Sequence, residues 1–261
     1  LVMSFDYFRN TTKDQLMTIP LPASTGSEDI VVNFGENQNV GYDFSVAGQV
    51  IRNKNWAWTS VINGSHVKDR IKQISDKLKN TAYQLEEDNP LKLRFREGGS
   101  QYDIYAVRSA GIDPATGQEI FINKNGEYTF KYDAEDEVVV GNTQPKLQGT
   151  WLNTLRYKGW SLNFVFSYTF GGDTYNKTLW EKVEDIDPRY NVDERAFTDR
   201  WKNPGDLSRY LAIKERRSTT PHNSERFVER LNELWLSSAT LTYEFLSLIH
   251  ISEPTRQAEI S

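Results

Sequence analysis

From Trp160 to Phe170 the chain alternates between large apolar and small, mostly polar side chains. Trp160, Leu162, Phe164, Phe166, Tyr168 and Phe170 fall on one face of an extended segment, and Ser161, Asn163, Val165, Ser167 and Thr169 fall on the other. Successive strand side chains point to opposite faces, so this segment has one aromatic face and one small, uncharged face. The solvent face of a soluble sheet usually carries charge. An uncharged polar face behind an apolar one, with aromatics at both ends, is how a strand that crosses a bilayer is built, with lipid outside and a wet lumen inside. The segment also matches the ~9–11 residues that a tilted strand needs to span the membrane.

The alternation recurs. Residues 1–9 set Met3, Phe5 and Tyr7 against Ser4 and Asp6. Residues 38–51 set Tyr42, Phe44, Val46 and Val50 against Asp43, Ser45, Ala47 and Gln49. Residues 56–70 open with Trp56, Trp58, Ser60 and Ile62 against Ala57, Thr59, Val61 and Asn63. Residues 147–157 place Leu147, Trp151, Leu155 and Tyr157 on one face. Residues 233–246 set Trp235, Ala239, Leu241, Tyr243 and Phe245 against Leu236, Ser238, Thr240, Thr242 and Glu244. With 160–171, these make six predicted strands.

Two connections, 52–55 and 158–159, are tight; three, 10–36, 71–144 and 172–232, are long. Within the second long one, Ile104–Arg108 and Glu119–Ile122 flank a turn-forming Gly111–Gly117, which predicts a small hairpin. The third is expected to hold short helices near Leu179–Val183 and Glu194–Trp201. Short turns at one end and long loops at the other are the asymmetry of an outer-membrane barrel, and they place the long loops outside the cell.

Composition narrows this picture. The chain has 261 residues, enough for one large all-β unit or two small domains. It contains no apolar run near the ~20 residues of a membrane helix, which excludes a helical membrane protein but not a barrel. The mean hydropathy of -0.64 fits strands that are only half apolar. There is no cysteine, hence no disulfide framework or thiolate metal site. A net charge of -5 without a basic patch argues against nucleic acid as a partner. The chain opens inside a predicted strand without an initiator Met, so it is expected to be a piece of something longer.

An ordered set of motifs resembles the C-terminal part of SusC/RagA-type TonB-dependent outer-membrane transporters of Bacteroidetes. They are Ser4–Asp14 followed by Pro20-Leu21-Pro22, then Asn39–Phe44, Trp56–Ser65, Ala110–Gly117, Gly141–Lys146 and Phe166–Asp173. The resemblance covers 1–246. It implies about six late strands and extracellular loops of a barrel of about 22 strands. It also implies an outer-membrane location and import of oligosaccharides or peptides. The implied partners are a SusD-like surface lipoprotein over the mouth and TonB, engaged through an N-terminal region that precedes these residues. No cofactor is implied. Residues 247–261 depart from the family pattern and look like adaptor read-through, a non-native extension set aside from fold reasoning.

Candidate chemistry lies in the loops. Tyr175, Trp180, Tyr190 and Trp201 are the candidates for stacking on a sugar ring, with local packing or lipoprotein contact as the rival reading. Glu181, Glu184, Asp185, Asp187, Asp193 and Glu194 form an acidic stretch that a hydrolase or a Ca²⁺ site would use, but charge runs are usually solvated. Asp113 and Thr116 read as turn-formers. His66, His222 and His250 are too dispersed for a zinc site. No catalytic residue is assigned. Two rival functions stay open: a soluble β-sandwich carbohydrate-binding module, which needs the apolar strand face buried in a core, and a surface glycoside hydrolase using Asp185 or Glu194.

Overall fold

In the computed structural model, which describes residues 1–20, 29–75, 95–186, 189, 191–213 and 223–245, the alternating segments form one sheet. Its strands are β1 (Val2–Pro20), β2 (Asp29–Arg52) and β3 (Trp56–Ile74), then, after an insertion, β9 (Leu147–Tyr157), β10 (Trp160–Tyr175) and β11 (Val228–Tyr243). They pair antiparallel in that order. The insertion carries β4 (Asp103–Ala106), β5 (Arg108–Ile112), β6 (Glu119–Ile122), β7 (Tyr128–Thr129) and β8 (Val138–Asn142). Past β10 come one turn of helix, α1 (Lys177–Leu179), a π turn at Trp180–Glu184, and a second short helix, α2 (Arg195–Thr198).

The two tight turns lie at one end. Asn53 closes the first: its N–H donates to the Trp56 carbonyl at 2.8 Å, and its Oδ1 accepts from the N–H groups of Asn55 at 3.0 Å and Trp56 at 2.8 Å. At this end an unbroken aromatic row crosses four strands, since Trp56 pairs with Tyr157, Tyr157 with Trp160 and Trp160 with Tyr243. Ring centroids are 4.3 Å apart in the first of these pairs and 4.7 Å in the last. At the other end of the apolar face lie Tyr42 and His66, 5.0 Å between ring centroids, and Phe170. From Trp160 to Phe170 is about ten steps of ~3.4 Å, or ~26 Å of height at a ~40° tilt, close to the ~25 Å apolar band of a barrel.

The apolar face is bare. Phe5 is 67% exposed, Leu241 62% and Trp160 47%. A sandwich would cover these side chains, so the structure disfavours the soluble-module reading. Close strand approach needs glycine at one point on this face: a Cβ on Gly149 would stand 2.0 Å from the Asn63 carbonyl oxygen. Tyr168 lies over the gap and donates its hydroxyl to that same carbonyl at 2.8 Å.

Four expectations need correction. First, 10–36 is not mainly loop: β1 and β2 continue as a long hairpin past the apolar band, pairing Thr11 with Gln38 and Leu16 with Asn33. Backbone pairing needs only a partner strand, and polar side chains such as Gln38, which donates to Thr11 at 3.3 Å, hold it in water. β3 and β10 likewise run on to Ile74 and Tyr175, and β11 starts early, at Val228.

Second, the hairpin around Gly111–Gly117 pairs β5 with β6, whereas Ile104 and its neighbours pair with β8. Third, β11 carries an irregularity that changes its faces: Phe166 opposes Leu236, but Val165 opposes Ser238, leaving Ser237 extra. Trp235 therefore opposes Ser167 on the inward face, while Leu234 and Leu236 join Ala239, Leu241 and Tyr243 on the outward one. Fourth, β2 has a similar shift before Ile51, so Ile51 rather than Val50 opposes Trp58. The extension expected at 247–261 lies outside the described residues.

Candidate functional site

The long connections converge at the end of the sheet opposite the tight turns. Asp69, buried near the outer end of β3, accepts from the N–H of Gln101 at 2.9 Å and from the Ser100 hydroxyl, which fixes the start of the insertion. Asp173 on β10 accepts from the N–H of Asn142 at 3.0 Å and fixes its end. The insertion then joins the β10–β11 connection: the N–H of Val107 donates to Asn223 O at 2.8 Å, and that of Glu225 donates to Val107 O at 3.0 Å. The two connections thus form one rim layer. The β10–β11 connection has a core of its own, made by Leu179, Val183, Ile186, Ala196, Tyr210 and Phe227.

A buried ion cluster crosses this seam. Arg226 donates to Glu119 twice, from Nε at 2.9 Å and Nη2 at 2.8 Å, and to Glu184 from Nη2 at 2.7 Å. Its Nη1 donates to the Arg209 carbonyl at 2.8 Å, and the Ser224 hydroxyl donates to Glu119. The side chains are 13% exposed for Arg226 and 5% for each glutamate. Burial works against the charge of Arg226, but the two carboxylates outweigh it and raise its pKa above the ordinary arginine value. Burial pushes the Glu184 carboxyl up, against the pull of Arg226. Arg200 donates to the backbone carbonyls of Val183 and Glu184 and so ties the π turn to the end of α2.

The acidic stretch is therefore dispersed. Glu184 is in the cluster, Glu181 lies 3.3 Å from Lys177, and Asp193 lies 2.8 Å from Arg195. Asp185 ends the π turn, its N–H donating to Trp180 O at 2.8 Å, and Glu194 accepts through its backbone from Phe197 at 2.9 Å. Asp187 lies outside the described residues. Among the described residues no three His, Asp or Glu side chains are placed to hold a metal ion together. His66 Nδ1 lies 2.6 Å from the Lys146 carbonyl, while His222 and His250 lie outside the described residues. Asp113 does form its turn: it accepts from the Thr116 hydroxyl at 2.6 Å and from the N–H groups of Ala115 at 3.2 Å and Thr116 at 3.1 Å. The Thr116 bond above all holds its carboxyl below the usual value.

The candidate aromatics split. Tyr175, at the end of β10, packs against Phe227 with ring centroids 6.0 Å apart, and burial followed by the Glu119 charge pushes its hydroxyl up to about 12. Trp180 is half-buried against the same core. Trp201 is 6% exposed and donates from Nε1 to Pro114 O at 2.9 Å. Its indole fills the place of a Cβ on Gly117, where φ is +75°. Tyr190 lies outside the described residues. Glu119, Ser224 and Arg226 were missed, because single polar or charged residues in two separate loops carry no local signal of pairing.

No protein-family model matches the chain. It is 24% identical to TonB-dependent receptor P39 of Formosa agariphila over 94% of this chain and 28% of that protein. It is 29% identical to TonB-dependent receptor P3 of the same organism over 69% of this chain and 20% of that protein. The RagAB peptide transporter structure superposes with a TM-score of 0.73 at 22% identity, over 92% of this chain and 26% of that one. The chain is thus similar in sequence to TonB-dependent receptors, and its fold is that of a section of the RagAB peptide transporter. It spans between a fifth and just over a quarter of the length of the curated relatives it matches. Its six-stranded antiparallel sheet matches part of that transporter's fold.

Proposed function

We propose that the full-length receptor imports oligosaccharides across the outer membrane, with this chain supplying late barrel strands and part of the outer rim. A SusD-like lipoprotein would close over the rim, and TonB would drive uptake through parts of the receptor outside these residues. The observation that carries the reading is the polarity of the sheet: a bare apolar face of bilayer height, tight turns at one end, and two long connections locked into one layer at the other. Trp180 remains a candidate for the ligand side of that layer, and Tyr190 remains a sugar-stacking candidate by residue type alone.

Peptide import is the second reading, favoured by the likeness to the RagAB peptide transporter. The deciding experiment expresses the full-length receptor with and without its partner lipoprotein and follows uptake of labelled oligosaccharides and peptides. Oligosaccharide uptake that needs the receptor supports the first reading, peptide uptake supports the second, and absence from the outer-membrane fraction overturns both.

A further inference from the structure

Beyond its upper aromatic row, the outward face of β1, β2 and β3 turns basic. That row holds Tyr7, Tyr42 and His66, each paired across strands with the next. Two residues further from the tight turns, the same face carries Arg9, Val40 and Lys68. Two further still, it carries Thr11, Gln38 and Arg70. These two rows hold three cations and no carboxylate. Lys13 and Lys72 follow, each beside a break in the pairing, with Asp14 and Glu36 as the first acidic neighbours.

The charge is confined to one face. At the same heights the inward face carries Phe8, Gly41 and Val67, then Asn10, Asn39 and Asp69, without a cation. Asp69 lies between Lys68 and Arg70 in the chain but points away from both, buried against the Ser100 hydroxyl and the Gln101 N–H. Arg9, Lys68 and Arg70 are exposed, and among the described residues they make no ion pair or side-chain hydrogen bond. Lys68 and Arg70 stand ~7 Å apart along β3, and Arg9 stands ~10 Å from Lys68 across β2. Like charges at this spacing repel, and no neighbouring side chain offsets them. Each step of two residues climbs ~5 Å at a ~40° tilt, so the cations sit ~5 and ~10 Å beyond the aromatic row. That is the height of the headgroup layer above a hydrocarbon core, and their long stems let the heads move within it.

We propose that Arg9, Lys68 and Arg70 form a docking site for a phosphate-bearing lipid headgroup of the outer leaflet, which Lys13 and Lys72 extend away from the membrane. An Arg fork grips two phosphate oxygens, and a Lys adds a mobile point charge. A neutral headgroup leaves the cations unmatched. An acidic protein surface offers carboxylates, but the site lies directly above bare apolar and aromatic side chains, which fits a molecule whose anionic head and apolar tails are joined. The outward face looks away from the barrel interior, so no other part of the wall stands opposite it. The proposal rests on the outer-membrane reading of the sheet and adds the lipid class that its outer edge selects.

The test uses the full-length receptor, freed of any cysteine, with a fluorophore at Thr11→Cys beside the site. The receptor is placed in phosphatidylcholine vesicles, and quenching is followed as spin-labelled phosphatidic acid or spin-labelled phosphatidylcholine is added. Phosphatidic acid is expected to quench at the lower mole fraction, and the difference should shrink at high salt, where charges are screened. Lys68→Gln should raise the half-quenching fraction of phosphatidic acid about fivefold, the worth of one cation at a membrane surface. Arg9→Gln added to it should raise that fraction further, Lys68→Arg should leave it nearly unchanged, and phosphatidylcholine should respond to none of them. Equal melting temperatures of the variants exclude a folding defect. Equal quenching by the two lipids in the unsubstituted receptor overturns the site, as does a phosphatidic acid preference that survives Arg9→Gln with Lys68→Gln. Tighter binding of polyglutamate than of phosphatidic acid would assign the face to an acidic protein and overturn it as well. A receptor found in the outer-membrane fraction without the lipid preference removes the site only, whereas absence from that fraction removes the membrane reading beneath it.

Discussion

Arg226 stands 2.8 Å from Glu119 although 107 positions separate them in the chain. With Glu184 as third member, this contact spans the seam between the two long connections. A buried pair of this kind adds little net stability against an apolar replacement, but removing one partner strands the other charge and costs about 3–5 kcal/mol. Arg226→Met should therefore loosen the rim while leaving the sheet intact. Amide exchange should speed up across 108–122 and 223–228, with β9 and β10 still protected. Replacing both glutamates by leucine in the same chain should recover much of the protection. Unchanged exchange in Arg226→Met would show that the seam is held by other contacts.

The reversal of faces at Ser237 is open to cysteine scanning, because the chain has no native cysteine. Spin labels at Leu234→Cys, Leu236→Cys and Ala239→Cys should collide with oxygen dissolved in lipid. Labels at Trp235→Cys and Ser238→Cys should respond instead to a water-soluble nickel chelate. Strict alternation through 234–239 would put Leu234, Leu236 and Ser238 on one face, so finding those three alike disproves the bulge.

Gly149 is expected to resist enlargement. Its Cβ would meet a backbone oxygen of β3 at 2.0 Å as well as the Tyr168 hydroxyl at 2.7 Å. Gly149→Ala should destabilise the sheet by about 1–3 kcal/mol in urea unfolding from vesicles. Adding Tyr168→Ala should not rescue it, because the nearer clash is with the backbone. Tyr168→Phe alone loses one hydrogen bond and should cost about 1 kcal/mol. Full rescue by Tyr168→Ala would place the conflict in the ring instead.

Acid should release the turn before α2. Side-chain hydrogen bonds from Arg195 hold the Asp193 carboxyl down at about 2, below its ordinary 3.8. A carboxylate with a depressed folded pKa binds fewer protons folded than unfolded, so its contribution is present above pH 3.8 and is lost as the pH falls toward 2. Exchange protection of the Ala196 N–H, which donates to Asp193 O at 2.9 Å, should fall in that window. The variant Asp193→Asn should lose the pH dependence there. A wild-type profile flat from pH 4 to pH 2 would refute the assignment.

The strands were legible where one face is apolar and the other small and polar. From Trp160 to Phe170 every second side chain is large and apolar, and a period of two is a property of neighbours in the chain. The hairpin of 10–36 was not legible as strand, because its pairs, such as Thr11 with Gln38, Leu16 with Asn33 and Met17 with Val32, mix polar and apolar side chains without a sustained period of two, and backbone hydrogen bonding leaves no mark on composition. Trp235 was assigned to the wrong face for a related reason. Leu234, Trp235 and Leu236 are all apolar, so the sequence holds no sign of which one faces lipid, and one extra residue decides it.

The rim shows the same division. Asp113 with Thr116 was readable as a turn because its partners are within three residues. The places of Tyr175, Trp180 and Trp201 were not, because each is set by groups such as Phe227 and Pro114 that lie far along the chain. By itself the sequence determined the all-β class, the apolar–polar alternation, the two tight turns and the end at which the long connections gather, since all of these follow from local periodicity and turn chemistry. Only the tertiary structure decided the strand ends, the inward turn of Trp235 and the meeting of Arg226 with Glu119 and Glu184, because cross-strand register and loop-to-loop packing join residues that no local pattern relates.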